Sequence, residues 1–150
     1  MQIYLGSDHR GFNLKETVKA ALLGDGYPVK DKGNLKHEEE DDYPDSARAV
    51  AELVSVSPDE ARGILFCGSG VGVCVVANKY AGVRAALGAS GDIVLAGRND
   101  DDINVLCIPS DFTSELQALS LVRVFLGTPF SGEDKHRRRL QKISEIENKS

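Results

Sequence analysis

The chain has 150 residues, 41% hydrophobic and 27% charged, a balance that excludes a disordered or fibrous protein and predicts one soluble globular domain over residues 1–150. A formal charge of -5, with acid runs at "HEEEDDYPD" and "NDDDIN" against one basic run at "KHRRR", excludes general binding to nucleic acid or membrane surfaces. No apolar run approaches a membrane span, and "QIYLG" follows the first methionine without a charged leader, so a cytoplasmic location is expected.

In chain order, "QIYLG" reads as a first strand, and "NLKETVKAALLG" as a helix with Leu14, Val18, Ala21 and Leu22 on one face. Asn13 and Glu16 have capping-box spacing, and Gly24 supplies a stop. "YPVKDKG" is strand two, and the polar stretch 34–42 is a surface loop. "PDSARAVAELV" is helix two, "GILFC" strand three, "GVCVVANKY" helix three, "VRAAL" strand four, "SGDIVLAGR" helix four and "NVLCIP" strand five. Helices over residues 114–126 and 135–148 close the chain.

Short strands alternating with helices imply parallel pairing through right-handed crossovers, hence an α/β three-layer α/β/α sandwich around a five-stranded doubly wound sheet. The expected order is 2-1-3-4-5, with the switch point between strands one and three. That places "GSDHRG" beside "CGSGVG" at the carboxyl edge. The last helix carries an apolar stripe of Leu140, Ile143 and Ile146, while two helices already cover each face. A partner subunit is expected to cover it.

Cys67, Cys74 and Cys107 form an odd set without CxxC spacing or a histidine cluster, so neither a disulfide framework nor a metal site is expected. Cys67 ends strand three where a glycine loop begins. Successive glycines let backbone N–H groups turn toward an anion, and a thiol at a helix start ionises readily to a nucleophile or base. The plainer alternative is a buried strand residue followed by a tight turn. Cys74 and Cys107 sit inside apolar runs and read as core.

Asp8 and His9, just after strand one, suit sugar hydroxyls, phosphate or proton transfer, or else a loop cap beside a solvated imidazole. "KHRRR" starts the last helix, where the macrodipole opposes each positive charge by about 0.3–1 kcal/mol. Lys135 and Arg139, four apart and with His136 on their face, are placed to grip a phosphate, unless the run is only a solvated surface. "GSGVG" is not the GxGxxG of a dinucleotide site, Val73 stands where a phosphatase loop needs arginine, and the Gly-Lys-Ser/Thr ending of a Walker loop is missing.

Together, "GSDHRGFNLK", "DYP" at 42–44, "ILFCGSGVGVCVVANKYAGVRA", "NVL" at 104–106 and "HRRRLQKISEIE" resemble the type B ribose-5-phosphate isomerases and the related galactose-6-phosphate isomerase subunits. The resemblance runs from end to end. It implies interconversion of a phosphorylated aldose and ketose without metal or organic cofactor, by homodimers or tetramers whose sites use residues of both chains. It assigns Cys67 as the base that moves the proton between C1 and C2, and Ser69 with the amides of Gly68, Gly70, Val71 and Gly72 as the anion hole. Asp8 and His9 take sugar- and phosphate-binding positions, and Lys135 and Arg139 reach a phosphate from the partner chain. Some members use a glutamate at the site of Val73, which cannot serve here.

This chain departs from that pattern at Asp100 and Asp101, where the family carries a ring-opening histidine and an asparagine, and at Asp111 and Lys135, where it carries arginines. Either crowding of Asp100, Asp101 and Asp102 makes Asp100 the ring-opening acid, or the triplet binds the hydroxyls of a different pentose or hexose phosphate, or it only solvates a turn. Two other readings remain, a non-catalytic sugar-phosphate-binding subunit and a flavodoxin-like nucleotide module.

Overall fold

The computed structural model describes residues 1–149, so residue 150 of the expected domain lies outside it. The elements run β1 (Gln2–Ser7), α1 (Phe12–Gly24), β2 (Val29–Asp31), α2 (Tyr43–Val56), β3 (Ala61–Cys67), α3 (Val71–Ala77), β4 (Ala85–Leu87), α4 (Gly91–Asp101), β5 (Val105–Pro109), α5 (Glu115–Gly127) and α6 (Asp134–Glu147), with a 3-10 turn at Ser110–Phe112. All strand pairs are parallel.

The sheet order is β2-β1-β3-β5-β4, which corrects the expected 2-1-3-4-5 at its last two places. The reason is burial. β5 is a continuous apolar run whose first four residues are buried, as suits a strand covered on both faces, whereas β4 is three half-buried residues suited to an edge.

Two core layers sandwich the sheet. Ile64, Phe66, Leu106 and Ile108 pack with α1, α4 and α5. The alternate positions Leu65, Cys67, Val105 and Cys107 pack with α2 and α3. The helices therefore divide three and two, and the expectation of two on each face is corrected.

Helix α1 starts at Phe12 on an N-cap Gly11 with no side-chain cap, so the Asn13–Glu16 capping box is also corrected. Glu16 is drawn away to Lys19 at 2.7 Å and Lys15 at 3.1 Å. A capping box does form at α5, where Ser114 Oγ accepts the Gln117 N–H and the Gln117 side chain accepts the Ser114 N–H. Helix α6 packs against α4 of its own chain, and both Glu147 carboxylate oxygens accept the Gly82 N–H at 3.1 Å. Its outer residues Ile143 and Ile146 stay 40% and 67% exposed.

Candidate active site

Three strand ends build the site. In the β1–β3 ladder Ser7 faces Phe66, so Asp8 follows one strand where Cys67 ends the other. The Asp8 N–H donates to the Phe66 carbonyl at 3.2 Å, and Asp8 Oδ1 accepts the Gly11 N–H at 2.9 Å, which sews the loop to the start of α1. The loop-capping role of Asp8 is thus present. The corrected strand order brings the turn after β5, not the one after β4, to the glycine loop: the Asp111 N–H donates to the Gly68 carbonyl at 3.0 Å.

Cys67 is only 4% exposed, and its Sγ accepts the Gly70 N–H at 3.1 Å. Gly70 holds φ +72°, the left-handed region that a side chain resists, and a Cβ there would meet Leu87 at 2.6 Å and the Pro109 nitrogen at 2.9 Å. Only glycine lets this turn fold back onto the sulfur. Ser69 Oγ accepts the Val71 N–H at 3.3 Å, and Ser69 and Val71 are exposed on the rim. The Tyr43 ring, from the "DYP" stretch, lies against Gly72, where a Cβ would meet it at 2.7 Å.

Two site residues were not singled out from sequence. Arg10 lays its guanidinium over Gly68, where a Cβ would collide with it, and pairs with Asp111. The signal was available: an aspartate where the resemblance expects an arginine calls for a nearby cation, and "DHRG" carries one. Asp41 is the other. The His9 backbone N–H donates to Asp41 Oδ1 at 2.7 Å, and His9 Nδ1 lies 2.8 Å from the same oxygen. That hydrogen bond, against some desolvation and with help from Asp8 and the Asp41 charge, raises the His9 pKa above its ordinary value. Nothing in the spacing of "HEEEDDYPD" marks Asp41.

Beneath the 34–42 loop sits Lys15, its side chain fully buried, with Nζ 2.5 Å from Asp31 Oδ2 and 3.0 Å from the Asn34 carbonyl. Asn34 Nδ2 in turn donates to Asp41 Oδ2 at 2.9 Å. Burial pushes the Asp31 carboxyl up, but hydrogen bonds from Lys15 and Lys19 outweigh it and hold the pKa below the usual value. Next to this loop lies a cavity of about 420 Å³ lined by Ser7, Asp41, Asp42 and Asp45, among others.

The residues expected from the far end of the chain are not beside Cys67 as a group. His136 is 4% exposed, with Nδ1 2.6 Å from Ser131 Oγ, while Lys135 and Arg139 are exposed. His136 Nε2 lies 3.6 Å from Asp100 Oδ1, which accepts the Asn99 side-chain N–H at 2.7 Å. Within the acid triplet, Asp102 bridges Arg84 at 3.0 Å and Arg98 at 2.7 Å. Asp100 and Asp101 lie in the last turn of α4 rather than in a turn outside it. The basic run meets its opposing dipole with its own acids, Asp134 in the first turn and Glu133, 3.0 Å from Lys135. Among the described residues, no group of three or more histidine, cysteine or acidic side chains is placed to hold a metal ion, and no helix is long and apolar enough to cross a membrane.

Comparison with known proteins agrees with this geometry. The family profile described as Ribose/Galactose Isomerase matches residues 3–143. A Mycoplasma genitalium protein named probable ribose-5-phosphate isomerase B is 41% identical over 97% of this chain and 95% of its own. The Escherichia coli ribose-5-phosphate isomerase B is 37% identical over 97% and 96%. Among solved structures, ribose-5-phosphate isomerase B from Mycoplasma genitalium with bound ribulose-5-phosphate superposes with a TM-score of 0.96 at 40% identity, covering 99% of this chain and 97% of that one. The type B enzyme from Trypanosoma cruzi gives 0.89 at 38% identity, with each chain fully covered.

Proposed function

The chain belongs to the ribose/galactose isomerase family, and from that premise we propose that it interconverts ribose 5-phosphate and ribulose 5-phosphate. The observation that carries the reading is Cys67 at the end of β3, its sulfur within hydrogen-bond reach of the Gly70 N–H, with Asp8 and His9 following the adjacent strand β1. The Cys67 sulfur takes the proton from C2 of the open-chain aldose and returns it to C1. The carbonyl oxygen at C1 becomes the enediolate oxygen, stabilised by N–H groups of residues 68–72, and as the ketone forms at C2 the proton of the C2 hydroxyl passes to this C1 oxygen, which becomes the C1 hydroxyl of the ketose. A lost donor in such a hole costs about 3–4 kcal/mol of barrier. Asp8 and His9 hold the sugar and phosphate.

Lys135 and Arg139 complete the site from a second copy of the chain, which agrees with their exposure and with their lack of any tie to the β1 and β3 loops. Asp100 and Asp101 belong to that contribution. The place of work is the cytoplasm, and residues 1–150 act as one unit. Turnover of a panel of pentose and hexose phosphates by the purified protein alone tests this: preference for ribose 5-phosphate is expected. Preference for a hexose phosphate would move the reading to the galactose branch, and turnover of none would make the chain a non-catalytic binding subunit.

A further inference from the structure

We propose that Asp41 is a positioning residue that makes His9 a charged phosphate donor, so that His9 binds the substrate's phosphate as an imidazolium. The inference rests on the sugar-phosphate reading above and adds to it the group that decides the charge of one of its ligands.

The geometry allows one orientation of the ring. Asp41 Oδ1 takes both the His9 backbone N–H at 2.7 Å and Nδ1 at 2.8 Å, so the nitrogen facing a carboxylate is the donor and Nε2 points onward. The carboxylate is itself fixed, because its other oxygen accepts Asn34 Nδ2 at 2.9 Å and its side chain is only 14% exposed. Asn34 is anchored in turn through its carbonyl to buried Lys15. A neutral His9 in this orientation presents only a lone pair at Nε2, which repels a phosphate oxygen. Binding therefore needs the second proton, and Asp41 stabilises the cation that carries it.

The other groups facing His9 do not replace Asp41. Asp8 lies next in the chain and adds to the same field, but its Oδ1 is engaged by Gly11. Arg10 is turned to Asp111. From the 34–42 loop, His37 meets the His9 ring edge-on at 6.5 Å. From α1, Phe12 packs on His37, and Lys15 is spent on Asp31.

The test is the titration of His9 by NMR, with the three histidine signals assigned by single replacement, in the wild type, Asp41→Asn and the charge-retaining Asp41→Glu. Asp41→Asn is expected to return the His9 midpoint toward the ordinary imidazole range and to raise KM for ribose 5-phosphate about tenfold, more than it lowers kcat, the size expected for one charge-assisted hydrogen bond. Asp41→Glu should restore part of both. An unmoved midpoint in folded Asp41→Asn overturns the proposal, as does a lowered midpoint with unchanged KM. If the wild type does not turn over ribose 5-phosphate, the functional reading has failed separately. Inorganic phosphate then serves as probe, and it should raise the His9 midpoint in the wild type and raise it less in Asp41→Asn. Should Asp41→Asn not fold, the wild-type ring nitrogen shifts decide alone: an Nδ1–H form above the midpoint supports the proposal, and an Nε2–H form refutes it.

Discussion

At the scale of single residues, one charged side chain occupies a position on an otherwise apolar stripe. Lys15, three residues before Val18 and seven before Leu22, stands on the buried stripe of α1, where its side chain is fully covered and clamps Asp31 at the end of β2. Replacing it with Met keeps the volume and removes the ion. Breaking a buried pair costs about 3–5 kcal/mol, and since Lys19 stays 2.8 Å from Asp31 the expected loss for Lys15→Met is about 2–3 kcal/mol by urea unfolding. Because the Asp31 pKa is lowered on folding, its contribution is present above the unfolded carboxylate value and is lost as pH falls through the folded one. The wild type should lose urea resistance in acid more steeply than Lys15→Met. Cys67 and the glycines were legible from their place between strand and helix, and Arg10 only through the exchange at Asp111; Asp41 was not, because it acts on a partner far away in sequence.

At the scale of elements, two capping sequences look alike and behave differently. Ser114 and Gln117 satisfy each other across the first turn of α5, so Ser114→Ala should cost about 1 kcal/mol in thermal unfolding. Asn13 makes no such bond, since α1 already begins at Phe12, and Asn13→Ala should stay within about 0.5 kcal/mol of wild type. The existence and type of every helix and strand followed from apolar period and glycine punctuation. The order of β4 and β5 did not, because parallel crossovers permit either arrangement, and the choice rests on which strand is covered on both faces. That exchange has a functional result: it places Asp111, and through it Arg10, over the glycine loop.

At the scale of the whole molecule, the fold is a carboxyl-edge site at a β1–β3 switch point whose expected cations, Lys135 and Arg139, lie exposed on the last helix, α6. If a second copy supplies them, Cys67→Ala and Arg139→Ala are each weak alone, and mixed, exchanged dimers regain about a quarter of wild-type activity, since half the dimers carry one intact site of two. No recovery on mixing would confine each site to one chain. The family was legible in the motif blocks, whereas the pairing of His136 with Ser131 and Asp100 was hidden, because one-residue steps on α6 decide which side chains turn inward. The most direct measurement of the central claim follows solvent deuterium entering the sugar phosphate at C2, by NMR, for the wild type and Cys67→Ala. Incorporation by the wild type and none by Cys67→Ala, with inorganic phosphate still bound by both, is the predicted result; deuterium entering at an undiminished rate without the Cys67 thiol would contradict it.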